Sequence, residues 1–334
     1  MTNSRYHIYG IGAALVDTEI EVEDHDLTQL EIDKGVMTLV DEDRQHHLIN
    51  YLSDHLMASR RASGGSAANT IIASSYFGAK NFYSCKVADD DNGHFYLKDM
   101  RDAGVDVHQK SELPNGITGK CLVMITKDAE RTMNTFLGIS ETLSVDELHL
   151  DAVAQSQYVY IEGYLVTSPT GKAAAIRLRE EAEKHHVKTA LSLSDPAMVQ
   201  FFKEGLLEMI GERVNLLFCN QDEAFSFTDT DNIVAAVDAL KNYADQFAIT
   251  CGSDGAVLFD GEKIINIDSH AVKAIDSNGA GDMFAGAFLY GITHDYSFQQ
   301  AGDLASKAAA TVVSQFGPRL NAEQHVEIYK EVLG

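Results

Sequence analysis

A chain of 334 residues, 45% of them apolar, is long enough for one large α/β domain or two smaller ones, and its composition gives no sign of disorder. The formal charge of −24 argues against a nucleic-acid footprint, because phosphates would be repelled, and any nucleotide site must be furnished locally with amides and a cation. No basic start leads into an apolar stretch and no run approaches the length of a membrane span, so a cytoplasmic protein without a signal peptide or a membrane partner is expected. Cys85, Cys121, Cys219 and Cys251 form no C-x-x-C pair and are expected as free thiols. The adjacent pairs His46-His47 and His185-His186 fall on predicted helices, where neighbours diverge, and are expected at the surface.

In chain order, residues 6–10 read as a first buried strand, and 18–22 and 36–40 as strands of a small sheet. Helical periodicity runs from Asp41 to Leu56, capped by Asp41 or Asp43. Residues 61–65 read as a glycine-containing loop opening a small-residue helix over 67–77. A strand at 82–87 and a helix at 92–100 follow. Strands at 121–126 and 131–137 flank the turn 127–130. From 158 the pattern becomes regular, with strands at 158–161, 189–193, 214–218 and 247–250 separated by helices, then a hairpin (257–259, 264–267) and long helices. Alternating β and α units imply a parallel sheet with helices on both faces. The pieces at about 16–40 and 113–139 fit no βαβ unit and read as one small sheet packed beside it.

Several motifs fail on context. Gly10-Ile11-Gly12 lacks the third glycine of a dinucleotide fingerprint and is followed by a strand. Gly171-Lys172 and Gly119-Lys120 lack the first glycine of a phosphate-binding Walker loop. Ala88 occupies the first ligand position of an otherwise EF-hand-like Asp89-Asp90-Asp91-Asn92-Gly93.

One motif passes. Ile275-Asp276-Ser277-Asn278-Gly279-Ala280-Gly281-Asp282 opens an apolar small-residue helix. Its glycines let successive N–H groups at the helix start point at one spot, which attracts an anion. An acid beside an anion site is electrostatically costly unless it takes a proton from an attacking hydroxyl. Amides at Gly279, Ala280 and Gly281 with Asp282 as base form the layout of a phosphoryl-transfer site. A second patch, Ser63-Gly64-Gly65-Ser66-Ala67-Ala68-Asn69, opens the helix near 67. There paired glycines allow close approach to the backbone, and Asn69 offers a donor and an acceptor.

Together these patches resemble the PfkB (ribokinase-like) family of carbohydrate and nucleoside kinases. Gly64, Gly65 and Asn69 match its Gly-Gly-x-x-x-Asn signature. Asp276 to Asp282 match Asp-Thr-x-Gly-Ala-Gly-Asp with Ser277 in place of Thr, and Asn220-Gln221-Asp222-Glu223 matches Asn-x-x-Glu. The Thr250–Gly255 stretch is similar to its nucleotide loop. Leu15-Val16-Asp17, residues 131–138, Ser194-Asp195-Pro196 and residues 315–319 resemble the adenosine kinase-like branch, in which Asn often stands at the position of Ala13.

The resemblance implies a ribokinase-like α/β fold, a large doubly wound, mostly parallel sheet with a small β lid over about 16–40 and 113–139, and an ATP-dependent kinase acting on the 5′-hydroxyl of a ribosyl substrate, with adenosine as the best guess. A PfkB sugar kinase for ribose or fructose is the alternative, and a non-catalytic ligand-binding homologue a remote one. It implies Asp282 as catalytic base, Asp17, Gly64, Gly65, Asn69 and Arg131 about the substrate, and Asn220, Thr250, Gly252, Gly255 and Asn278 about the nucleotide. Glu223 and Asn220 would organise Mg²⁺, and Asp276 is the place for a monovalent cation. The sequence leaves a monomer and a lid-mediated dimer equally open.

Overall fold

The computed structural model describes residues 4–53, 60–108, 112–128 and 130–334. The end of the helix expected to reach Leu56, and Ala129 in the expected turn, lie outside the described residues. Two sheets divide the strands. β1 (Tyr6–Ile11) opens the large one, and β2 (Leu15–Glu21), β3 (Met37–Leu39) and β4 (Arg60–Gly64) belong to the small one. β5 (Asn81–Ser84) and β6 (Val105–Val107) return to the large sheet, and β7 (Thr118–Ile125) with β8 (Arg131–Gly138) complete the small one. The rest is large sheet: β9 (Ser156–Glu162), β10 (Lys188–Ser192), β11 (Val214–Asn220), β12 (Ala244–Thr250), β13 (Ala256–Phe259) and β14 (Ile264–Ile267).

The large sheet runs β14-β13-β12-β11-β10-β9-β1-β5-β6 and is parallel except at β13 and β14. Alternation along its strands serves two cores. Tyr158 and Tyr160 of β9 face one, with helices Ser66–Phe77 and Ala280–Thr293, while Val159 and Ile161 face the other, with helix Pro169–Lys184. Burial on both faces explains why these strands are nearly continuous apolar runs. From β1 the chain winds towards β6, then returns to β9 on β1's other side. That reversal leaves a crevice beyond the strands' C-terminal ends, where open α/β sheets bind ligands.

The small sheet, β3-β8-β7-β2-β4, corrects the sequence reading in two places. Residues 61–65 are not a loop: Arg60 to Gly64 pair antiparallel with Glu19 to Leu15 as an edge strand. Their polar, glycine-bearing sequence carries no strand signal, and the pairing partner supplies it. A helix, Asp24–Gln29, also interrupts the expected all-β piece; Glu23 and Asp26 cap it reciprocally, and Leu27 and Leu30 pack with Leu122 and Met124. Helix Glu42–Tyr51, capped by Asp41, adds Leu48 to that outer face. The alternate residues of β7, Cys121, Val123 and Ile125, turn to the opposite face with Met133 and Leu15.

Candidate active site

A cavity of about 740 Å³ lies between the small sheet and the C-terminal ends of the large-sheet strands. The two glycine patches meet in it because their helices cross at close range. A side chain at Gly286 of helix Ala280–Thr293 would come within 2.4 Å of the Thr70 carbonyl on helix Ser66–Phe77. Only small residues permit such an approach, and it sets both helix N-termini on one crevice.

Asp282, in the first turn of its helix, receives the Ser66 hydroxyl on Oδ1 at 2.6 Å and the Asn69 amide on Oδ2 at 3.1 Å. It is enclosed in the cavity wall, and burial raises its carboxyl to about 6, against the lowering by Ser66, Asn69 and the Arg319 charge. Gly279, in the left-handed region at φ 69°, caps the helix; a Cβ there would lie 2.5 Å from Pro318. Nothing lies within 4 Å of a Cβ placed on Gly281, so its face is open to a ligand. The helix's first amides have no intrahelical partner, which makes this corner an anion site.

Asp17, on β2, is buried, and burial pushes its carboxyl to about 7. Gly64 stands behind it rather than in the cavity wall: a Cβ on Gly64 would fall 2.0 Å from Asp17 Oδ1, so the glycine seats the carboxylate. Gly65, with φ 96°, lets the chain turn into the helix beside the Ala13 carbonyl. Glu162, at the end of β9, clamps this corner by accepting the amides of Ala13 (2.7 Å) and Ala67 (2.8 Å); burial raises it to about 7.

At the other end, Asn220 and Glu223 form a reciprocal cap after β11. Asn220 donates its amide N–H at 3.0 Å and its side-chain Nδ2 at 2.7 Å to the two Glu223 oxygens, and Glu223 N–H returns 2.8 Å to Asn220 Oδ1. Burial lifts Glu223 to about 7. Thr250, Gly252 and Asn278 join the wall, but Gly255 does not; it turns the chain into β13 at φ 86°, against the Ile267 carbonyl.

Asp276 is fully buried. Its Oδ1 accepts the Asn278 amide at 2.9 Å, its Oδ2 the Gly317 amide at 2.8 Å, and Arg131 Nε stands 2.6 Å from Oδ1. That last contact is an ion pair whose N–H points off the hydrogen-bond line. The Arg131 guanidinium, itself buried, therefore sits at the carboxylate expected to attract a monovalent cation.

The sequence profile of the pfkB family carbohydrate kinases matches residues 32–325. The chain belongs to that family. Its relatives put it on the adenosine kinase-like branch. The adenosine kinase of Saccharomyces cerevisiae is 26% identical over 335 residues, covering 94% of this chain and 96% of the relative. Adenosine kinase from Sinorhizobium meliloti shares 32% identity at a TM-score of 0.91, over 98% of this chain and 100% of that one. A probable sugar kinase from Rhizobium etli shares 31% identity at 0.90, over 98% of each. This PfkB chain is thus a phosphotransferase, and its family implies ATP as donor.

The sequence reading missed Ser66, Glu162 and Tyr164 as cavity residues. Ser66 lies inside the recognised glycine patch and could have been found there. Glu162 and Tyr164 follow a strand whose C-terminal end faces the crevice, a signal legible only once strand order is known. Among the described residues no group of three or more His, Cys, Asp or Glu is arranged to cage a metal, and no helix is long and apolar enough to cross a membrane.

Proposed function

We propose that this chain transfers the γ-phosphoryl group of ATP to the primary 5′-hydroxyl of a nucleoside, adenosine being the preferred acceptor. The observation that carries this reading is the two-sided lining of the cavity. Asp282 and its helix amides occupy one side, while Leu15, Met37, Met133 and Leu137 of the small sheet give the other an apolar lining suited to a flat base. Asp17 accepts no hydrogen bond from the described residues around it, which leaves its oxygens for the vicinal hydroxyls of a ribose. Asn69 and Gly65 complete that subsite, and Arg131 closes the edge of the small sheet, which acts as a lid.

In the reaction Asp282 takes the proton of the 5′-hydroxyl as the oxygen attacks the γ-phosphorus. The bond from that phosphorus to the β,γ-bridging oxygen breaks, and ADP leaves with the electron pair. Amides at Gly279, Ala280 and Gly281 stabilise the charge on the transferring oxygens. Thr250, Gly252 and Asn278 line the ATP end. Both Glu223 oxygens are already bonded to Asn220, so these two residues fit a Mg²⁺ reached through water, as that ion prefers. When bound, the ion neutralises charge on the phosphates. The enzyme then works in the cytoplasm, in purine salvage.

The test compares kcat/KM for adenosine, inosine, ribose and fructose with ATP. Loss of the base should cost about ten- to a hundredfold, one stacking contact's worth. A sugar that outperforms adenosine would replace this reading with a sugar kinase. That second reading is supported by Ala13, which offers no side-chain amide to a ribose, and by the likeness to the probable sugar kinase.

A further inference from the structure

Arg319 lies outside the cavity wall, between helices Phe298–Val313 and Ala322–Val332, and is 16% exposed. Its Nε donates to Asn69 Oδ1 at 3.0 Å and its Nη1 to Asp99 Oδ2 at 2.9 Å. Asp99, on helix Asp91–Asp102, is fastened in turn by the Ser63 amide at 3.2 Å and by the Ser63 hydroxyl. Against the raising effect of burial, Arg319 and Ser63 hold the Asp99 carboxyl below its ordinary range. The Arg319 Nη2 is buried without a partner, so the guanidinium is set by Asn69 and Asp99 rather than by its own saturation.

Asn69 is consequently used on both edges of its amide, with oxygen to Arg319 and nitrogen to Asp282 Oδ2. A primary amide can flip, exchanging donor for acceptor. A guanidinium accepts nothing and an ionised carboxylate donates nothing, so only one orientation satisfies both neighbours. We infer that Arg319 is a positioning residue for the phosphoryl transfer: anchored by Asp99, it fixes the Asn69 amide and thereby the Asp282 carboxylate.

The inference rests on the kinase reading above. The ionisable groups that share the field around Asp282 are Asp17 on β2, Tyr160 and Glu162 on β9, Tyr164 after it, Glu223 after β11, and Arg319. Arg319 is the cation in that set, and it opposes burial at both Asp17 and Asp282. Removing it should therefore raise the Asp282 pKa and move the acid limb of activity to higher pH.

The test measures kcat, KM and the pH profile with ATP and the best acceptor for Arg319→Gln, Arg319→Lys, Asn69→Ala and the Gln/Ala double variant. Arg319→Gln should lower kcat about 10- to 100-fold with KM changed less than about threefold, and shift the acid limb upward. Arg319→Lys keeps the charge but cannot bridge Asn69 and Asp99 together, so the limb should stay in place while kcat falls severalfold. On the pH-independent plateau, above the shifted acid limb, the double variant should be no slower than Asn69→Ala alone, because there the two act in series. Additive losses, or Arg319→Gln with wild-type kcat and an unmoved limb, would overturn the inference. Should Arg319→Gln fail to fold by circular dichroism, wild-type kcat in Arg319→Lys overturns it equally. Absence of ATP turnover by the wild type with every acceptor would instead defeat the kinase reading, and this inference with it.

Discussion

Two aspartates six positions apart bracket the same glycine loop and are treated in opposite ways. Asp276 is fully buried against a guanidinium and two backbone amides. Asp282 faces the cavity, with a hydroxyl and a carboxamide as its only direct donors among the described residues. A carboxylate fully buried against a guanidinium and two amides is fastened on every side and serves the shape of the loop. One held by neutral donors keeps an affinity for protons, which is what a base needs. The difference separates a residue that builds the site from one that can act in it.

The comparison breaks most visibly in catalysis. Asp282→Asn should fold normally and bind both substrates while kcat falls by roughly 10²–10⁴; near wild-type turnover, measured in steady state, would remove Asp282 from the chemistry. Asp276→Asn should show the reverse emphasis. It leaves the buried Arg131 guanidinium with only the longer 3.8 Å ion pair to Glu19 among the described residues, and urea unfolding should report a loss of about 3 kcal/mol, whereas Asp282→Asn should lose none at neutral pH.

A third carboxylate sharpens the contrast. Among the described residues Glu223 is bonded only by Asn220, so Glu223→Gln should weaken the apparent Mg²⁺ affinity about 10- to 100-fold with the acceptor KM little changed. An unchanged Mg²⁺ titration would make Glu223 a helix cap and nothing more.

The smallest effect is on stability against pH. Burial holds Asp17, Glu162 and Glu223 at about 7 and Asp282 at about 6, all above their unfolded values. The folded chain therefore binds more protons than the unfolded one across that window, and the stability so gained is lost as pH rises through about 6 to 7. His325, lowered by burial to about 4, works in the opposite sense below the ordinary imidazole range. The Tm without ligands should accordingly fall most steeply between about pH 5 and about pH 6.5 and level off above about pH 7.5, where these carboxyls are ionised in both states. A flat or rising Tm there would mean that these carboxyls titrate normally.

Local pattern carried much of this into the sequence. The regular alternation after 158 and the glycine-rich helix starts were legible because period and turn chemistry are short-range properties. β4 was not, since Arg60 to Gly64 become a strand only by pairing with residues 15 to 19. Helix Asp24–Gln29 is one and a half turns long, too short for periodicity to register. Arg131 and Asp276 were each legible as site residues, but their pairing was not, because nothing local in β8 points across 145 positions to a buried carboxylate. Likewise Arg319 reads as one more arginine until the fold sets it beside Asn69.

The helix crossing at Gly286 and Thr70 also has a bearing on biosynthesis. Asp282 meets Ser66 and Asn69 across 216 and 213 positions of chain, whereas the last strand of either sheet ends at Ile267. A nascent chain that has delivered every strand has yet to emit the helix that carries Asp282. The scaffold can be assembled while the cleft is chemically mute, and competence arrives only when the late helix has emerged and docks on the early one.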